Sequence, residues 1–187
     1  HRGSAAISRE ELIARVAGAD ALMCLLTDQV DATVMDASPA LKIIANIAVG
    51  YDNVDLAAAR SRGIVVTNTP AVLTEATAEF TWALILGIAR RVTEGDRVMR
   101  SGAWKGWALD FMLGTELRGK QLGIIGAGRI GRAVATRAPA FGMRPVFADW
   151  RQASGLQTMT LDELLITSDV LSIHAPLTSA TYHLIDK

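Results

Sequence analysis

The chain has 187 residues, half of them hydrophobic and 20% charged, with nineteen basic and nineteen acidic side chains. That length admits one large domain or two small ones with a real core, and the cancelled charge argues against nucleic acid or an anionic membrane as the main partner. The longest apolar stretch, Phe80 to Ala89, is too short to span a bilayer, and no secretory signal pattern opens the sequence.

No chemistry is assigned to the opening His1-Arg2-Gly3-Ser4. A first helix begins after Ser8, whose hydroxyl suits an N-cap, with Glu10 and Glu11 in the first turn. The order then predicted is strand 21–26, helix 32–37, strand 41–47, helix 56–62 and strand 64–67. Strands alternating with helices imply a parallel sheet covered on both faces. Cys24, the only cysteine, sits inside the apolar run 21–26 and reads as a buried core thiol. It has no partner for an internal disulfide, which fits a reducing cytoplasm.

A long helix is predicted over 74–92, with Glu75 and Glu79 near its start and Arg90 and Arg91 near its end, matching the helix dipole. Its 80–89 stretch is apolar almost all round, which predicts burial on several sides. It belongs either in an interface or in an ordinary core. The loop 101–107 carries Trp104 and Trp107, which either anchor a partner subunit or cover the core.

The most informative segment starts at Gln121. The apolar run Gln121-Leu122-Gly123-Ile124-Ile125 ends in Gly126-Ala127-Gly128-Arg129-Ile130-Gly131, and a helix is predicted from Arg129 to about Ala138. Eighteen positions after Gly131, a second apolar run closes on Asp149. Strand, G-x-G-x-x-G, helix and distal acid together form a dinucleotide-binding pattern. The first glycine permits a tight turn, the second lets backbone approach the pyrophosphate, and the third lets helix pack on strand. The helix N-terminus offers unpaired N–H groups to the phosphates. A carboxylate at 149 accepts from both ribose hydroxyls and repels a 2′-phosphate, so NAD is expected over NADP; Asp149 as a turn cap is the alternative. Arg151 could soften the preference.

Pro139 should end the preceding helix, and Pro145 is confined to the start of its strand, 144–148. A weak strand at 157–159, a helix over 161–167, a strand over 170–173 and a helix start over 179–185 complete the prediction.

Four ordered motifs resemble the D-2-hydroxyacid dehydrogenase family. They are the run from Ile44 to Asp55, the run Thr74-Glu75-Ala76-Thr77-Ala78-Glu79 with Ala89-Arg90-Arg91, the glycine turn, and Ser172-Ile173-His174-Ala175-Pro176-Leu177-Thr178. The resemblance covers about residues 7–187 and is strongest to glyoxylate and hydroxypyruvate reductases.

It implies an α/β fold of two doubly wound domains, both incomplete in a chain truncated at both ends. One is a flavodoxin-like substrate domain (1–73) and the other a Rossmann NAD-binding domain (74–187). It implies hydride transfer between NAD(H) and a small 2-keto or 2-hydroxy acid, and a homodimer formed through the cofactor domain. The backbone at Val49 and Gly50 would hold the substrate carboxylate, or is an ordinary strand-to-helix turn. Thr77 would lie near the nicotinamide, Arg129 and Ile130 beside the pyrophosphate, and His174 and Pro176 on the adenine side. The family's catalytic Arg, Glu and His fall beyond Lys187 in this pattern. No catalytic residue or metal ligand is therefore assigned here, and neither His174 nor His183 takes the catalytic role. The connection 150–160 is also shorter than the family pattern. A chain of this kind either belongs to the dehydrogenase or is a non-catalytic NAD-sensing or interaction module on the same fold.

Overall fold

The computed structural model describes residues 7–148 and 155–185. They divide into two compact units, one running to Leu73 and including Pro176 onward, the other spanning Thr74–Ala175.

The first unit is built on a three-stranded parallel sheet of order β1-β2-β3, formed by β1 (Ala21–Leu25), β2 (Ile43–Ile47) and β3 (Val65–Thr67). Three helices connect and flank these strands: α1 (Arg9–Val16), α2 (Ala32–Asp36) and α3 (Leu56–Ser61). Each starts on a side-chain cap, Ser8 accepting from Glu11 N–H, Asp31 from Val34 N–H and Asp55 from Ala58 N–H, contacts that satisfy amides a helix start otherwise leaves open. Leu12, Val16, Val34, Met35, Ala58 and Ala59 pack with Cys24 and Ile44 into one core. Among the described residues the expected cover lies on one face of this sheet. Residues of opposite parity in the strands, Met23, Leu25, Ile43, Ile47 and Val65, remain exposed, because all three helices pack on the Cys24–Ile44 side.

In the second unit β4 (Gln121–Ile125) lies between β5 (Arg144–Ala148) and β6 (Val170–Ile173), all parallel. Every residue of β4 is buried. On one face, α4 (Thr74–Ala89) and α6 (Arg129–Arg137) join Leu122 and Ile124 in the core. On the other, α7 (Leu161–Thr167) seats the fully buried Leu164 over Gly123, where any side chain would collide with Ser168 Oγ and Leu171. Thr160 and Glu163 form a capping box that starts α7 at its predicted place.

Pro139 shapes the contact between α4 and α6. It has no N–H for the carbonyl of Ala135, so the N–H of Ala138 bonds to Ala135 and α6 tightens into a 3-10 turn over Ala138–Phe141. The carbonyl of Val134 then accepts from Trp82 Nε1 at 3.0 Å, and the indole stacks on Phe141 with ring centroids 4.4 Å apart. Pro145 is the second residue of β5, an edge strand of this three-stranded sheet, where a missing donor is tolerated.

Five expectations change. The long helix is two: α4 ends at Ala89, and α5 (Val92–Arg100) follows a left-handed Arg91 with φ 55°. The break comes from far along the chain. Thr115 N–H takes the Ala89 carbonyl at 2.7 Å, and Arg91 bonds Glu94 and the Leu113 carbonyl. Nor is α4 buried on several sides, since only Ala78, Trp82 and Ile85 are buried while Phe80 is 65%, Leu84 52% and Ile88 79% exposed. Trp104 and Trp107 are exposed rather than covering the core. The strand at 157–159 is a single bridge from Thr158 to Phe147, and 179–185 forms turns ending at a left-handed His183 instead of a helix. No helix among the described residues is long and apolar enough to cross a membrane.

Candidate functional site

The end of β4 carries the glycine turn. Gly126 has φ +100°, and a Cβ there would stand 2.7 Å from the carbonyl oxygen of His174. A side chain is excluded twice, by backbone conformation and by the neighbouring strand end. Gly131 lies in the first turn of α6, where a Cβ would overlap the Gly126 carbonyl oxygen and press Ile124 Cγ2 at 3.2 Å. Gly128 differs from both. It is the N-cap of α6 in extended backbone, and a Cβ there meets nothing within 4 Å. Two glycines let protein pack on protein, and the middle one keeps an approach open.

The helix start behind that approach is prepared for an anion. The first intrahelical bond is Arg132 N–H to Gly128 C=O at 3.0 Å. Among the described residues the amides of Gly128, Arg129, Ile130 and Gly131 donate to no other group. The first turn holds no acid, while Arg129 is exposed and Arg132 folds back to bond the Ala127 carbonyl at 2.9 Å. Cations at a helix N-terminus oppose the dipole. Their cost is offset where an anion binds, so the residues present fit a pyrophosphate. The sequence reading did not single out Arg132, although its place one turn into the helix was the available signal.

Around this turn, His174 continues the ladder through its N–H to Ile125 C=O at 2.8 Å. Its ring is half-buried, its Nε2 lies 2.8 Å from Ser172 Oγ, and burial pushes its pKa below the usual histidine value, which favours the neutral ring. Thr77 is half-buried on α4, and its carbonyl accepts from Thr81 Oγ1. Asp149 and Arg151 lie outside the described residues. Pro176 groups with the first unit and its carbonyl accepts from Thr181 Oγ1.

In the first unit, the chain from β2 to α3 carries Val49 and Gly50. Val49 is half-buried and Gly50 exposed. The loop is fixed from below by two buried asparagines. Asn46 Nδ2 donates to Asn53 Oδ1 and to the Gly50 carbonyl, both at 3.0 Å. Asn53 Nδ2 reaches the carbonyls of Leu25 and Asp28 and Asn46 Oδ1. Cys24 Sγ, buried beside them, lies 3.5 Å from Asn46 Oδ1, and burial with the nearby Asp28 charge raises its pKa to about 11. Such a thiol stays protonated and is no nucleophile at neutral pH. The two asparagines were visible in the sequence as polar residues beside apolar runs, yet only the fold shows that they meet.

Comparison with known proteins gives these features a context. The chain matches the family described as D-isomer specific 2-hydroxyacid dehydrogenase, catalytic domain, over residues 2–182. It is 50% identical over 185 residues to a glyoxylate reductase of Korarchaeum cryptofilum, covering 95% of this chain and 56% of that protein. A solved structure from Thermus thermophilus superposes with a TM-score of 0.93 at 49% identity, over 97% of this chain and 59% of the other. A D-lactate dehydrogenase of Aquifex aeolicus, solved with NAD and lactic acid, superposes at TM-score 0.85 and 33% identity over 93% of this chain and 53% of the other. The chain thus spans about half the length of the curated relatives it matches.

Proposed function

The chain belongs to the D-isomer specific 2-hydroxyacid dehydrogenase family, and from that membership we propose that it is the part of an NAD-dependent oxidoreductase that holds the cofactor pyrophosphate and the carboxylate of a small 2-keto acid, such as glyoxylate or hydroxypyruvate. The observation that carries this reading is the open Gly128 in front of four amides that have no partner among the described residues and two arginines, with no acid in the turn.

When bound, NADH supplies a hydride to the keto carbon. Gly126, Gly128 and Gly131 shape the turn that would admit its pyrophosphate, and the amides of Arg129 and Ile130 would donate to the phosphate oxygens. Asp149, outside the described residues, would accept from the ribose hydroxyls. Thr77, His174 and Pro176 border the nicotinamide and adenine ends. The amides at Val49 and Gly50 hold the substrate carboxylate. No residue of this chain is assigned the proton transfer. The domain boundary falls between Leu73 and Thr74. The exposed residues Phe80, Leu84 and Ile88 follow one another at i, i+4 and i+8 on α4, a stripe suited to a homodimer contact, for which the exposed Trp104 and Trp107 are further candidates.

The test is NADH oxidation by the protein at its full natural length, with glyoxylate and with hydroxypyruvate. Turnover is expected. NADH binding without turnover of either acid would replace this reading with an NAD-sensing module. In the same assay Asp149→Ala should weaken NADH about tenfold or more and NADPH much less, because a charge-assisted hydrogen bond is worth roughly 1.5–3 kcal/mol. Equal losses would remove Asp149 from the ribose site.

A further inference from the structure

A trans peptide is planar, so the C=O of one residue and the N–H of the next point in opposite directions. A side chain that grips the first therefore aims the second. Three consecutive carbonyls after β2 are gripped in this way. Ala48 C=O accepts from Thr69 N–H at 2.9 Å and Thr69 Oγ1 at 3.2 Å, Val49 C=O from Asn68 Nδ2 at 2.8 Å, and Gly50 C=O from Asn46 Nδ2 at 3.0 Å. The amides aimed by these contacts belong to Val49, Gly50 and Tyr51. Among the described residues none of the three donates a hydrogen bond.

The grips come from different places. Thr69 extends the pairing of β2 with β3 beyond its last strand pair, Ala45 with Thr67. Asn68 adds nothing to that ladder. It leaves the end of β3 half-buried and reaches back nineteen positions to one carbonyl. Asn46 lies at the centre of the sheet, 1% exposed, where an aliphatic residue would avoid the cost of desolvating an amide. Its second N–H goes to Asn53, so the pair ties the Gly50 peptide to the core.

We propose that Asn68 and Asn46 are positioning residues for substrate binding: by holding the carbonyls of Val49 and Gly50 they aim the amides of Gly50 and Tyr51, making Tyr51 N–H a further donor to a small carboxylate. This rests on the reading of Val49–Gly50 as the carboxylate site. The amides touch the anion, and the asparagines act through them. Fixed donors lose no orientation freedom when the anion arrives, which is the advantage over an unheld loop.

The experiment uses the protein at its full natural length with NADH and glyoxylate, and oxamate as a carboxylate inhibitor that is not reduced. Asn68→Ala is expected to raise KM for glyoxylate and Ki for oxamate together by about tenfold, the equivalent of one hydrogen bond to a charged group. The NADH dissociation constant should stay within about twofold, since no nucleotide contact changes. Asn68→Asp keeps the shape and removes the donor, so it should be at least as impaired as Asn68→Ala. A purely structural Asn68 would lower Tm while leaving KM and Ki unchanged, and that pattern overturns the proposal. So does recovery of the parent KM in Asn68→Asp. On the parent protein, oxamate should inhibit and neutral oxamide should not. Equal inhibition by both would overturn the carboxylate reading itself. Selective inhibition by oxamate with an unaffected Asn68→Ala would overturn only the positioning role.

Discussion

The two units present backbone amides by opposite means. In the glycine turn the donors have no partner among the described residues because helix geometry leaves them open, and side chains are absent where they would obstruct: the Gly126 and Gly131 positions meet backbone and Gly128 meets open space. In the Val49–Gly50 loop the amides have no partner among the described residues, and side chains from elsewhere aim them by holding the carbonyls. The first arrangement is specified by what is missing within six consecutive residues. The second depends on Asn46, Asn53, Asn68 and Thr69 added from several places in the chain. The turn should thus be most sensitive to gaining a methyl group, and the loop to losing an amide.

The largest effect is expected at Gly131. Gly131→Val places its Cβ on the Gly126 carbonyl oxygen, and backbone cannot yield as a flexible side chain can. Overpacking of this kind should cost about 3 kcal/mol or more, read as a lower urea midpoint, and should abolish NADH binding. Gly128→Ala is the matched control. Its methyl enters open space at φ −72°, so stability should change by less than about 1 kcal/mol. NADH affinity should still fall, because the methyl stands where the pyrophosphate approaches. Equal stability losses in the two variants would erase the distinction between packing and approach glycines.

Asn53→Ala tests the other half of the comparison. It removes the donor to the Leu25 and Asp28 carbonyls and both contacts with Asn46. Leaving such groups unsatisfied should cost about 2–3 kcal/mol, without altering NADH affinity. A urea midpoint within error of the parent would mean that the network does not hold the loop.

This difference also explains what was legible beforehand. The glycine spacing, α6 and α7 could be placed from the sequence because each rests on local rules: turn conformation, capping box and apolar periodicity. The capped starts of α1, α2 and α3 rest on equally local contacts. The division of the long helix into α4 and α5 was not legible, since it depends on Leu113 and Thr115 returning to Ala89 and Arg91. The outer face of α4 was not settled by the sequence, because Phe80, Leu84 and Ile88 have a core composition and periodicity alone does not say whether the chain itself or a partner covers an apolar face. In the loop, the motif residues were readable, but the contact from Asn68 to Val49 exists only after β3 pairs with β2.

The smallest expected effect concerns Cys24, which lies against the loop network and has no counterpart in the glycine turn. Ionising it would bury a thiolate near Asp28 and remove the S–H from Asn46 Oδ1. Burial, with the Asp28 charge second, therefore raises its pKa from 9.0 to about 11. A thiol pKa raised on folding means that the native state binds the proton more tightly than the unfolded chain. Its contribution to stability is complete below pH 9.0 and is lost as pH climbs through about 11. The urea midpoint of the parent should fall across that window more steeply than that of Cys24→Ala. Lys42, whose pKa is raised by its hydrogen bond to Asp20, also loses stability in alkali, but it is common to both proteins and cancels in the difference. Parallel curves would mean that the thiol ionises as readily in the fold as outside it, and would separate Cys24 from the buried network that shapes the loop.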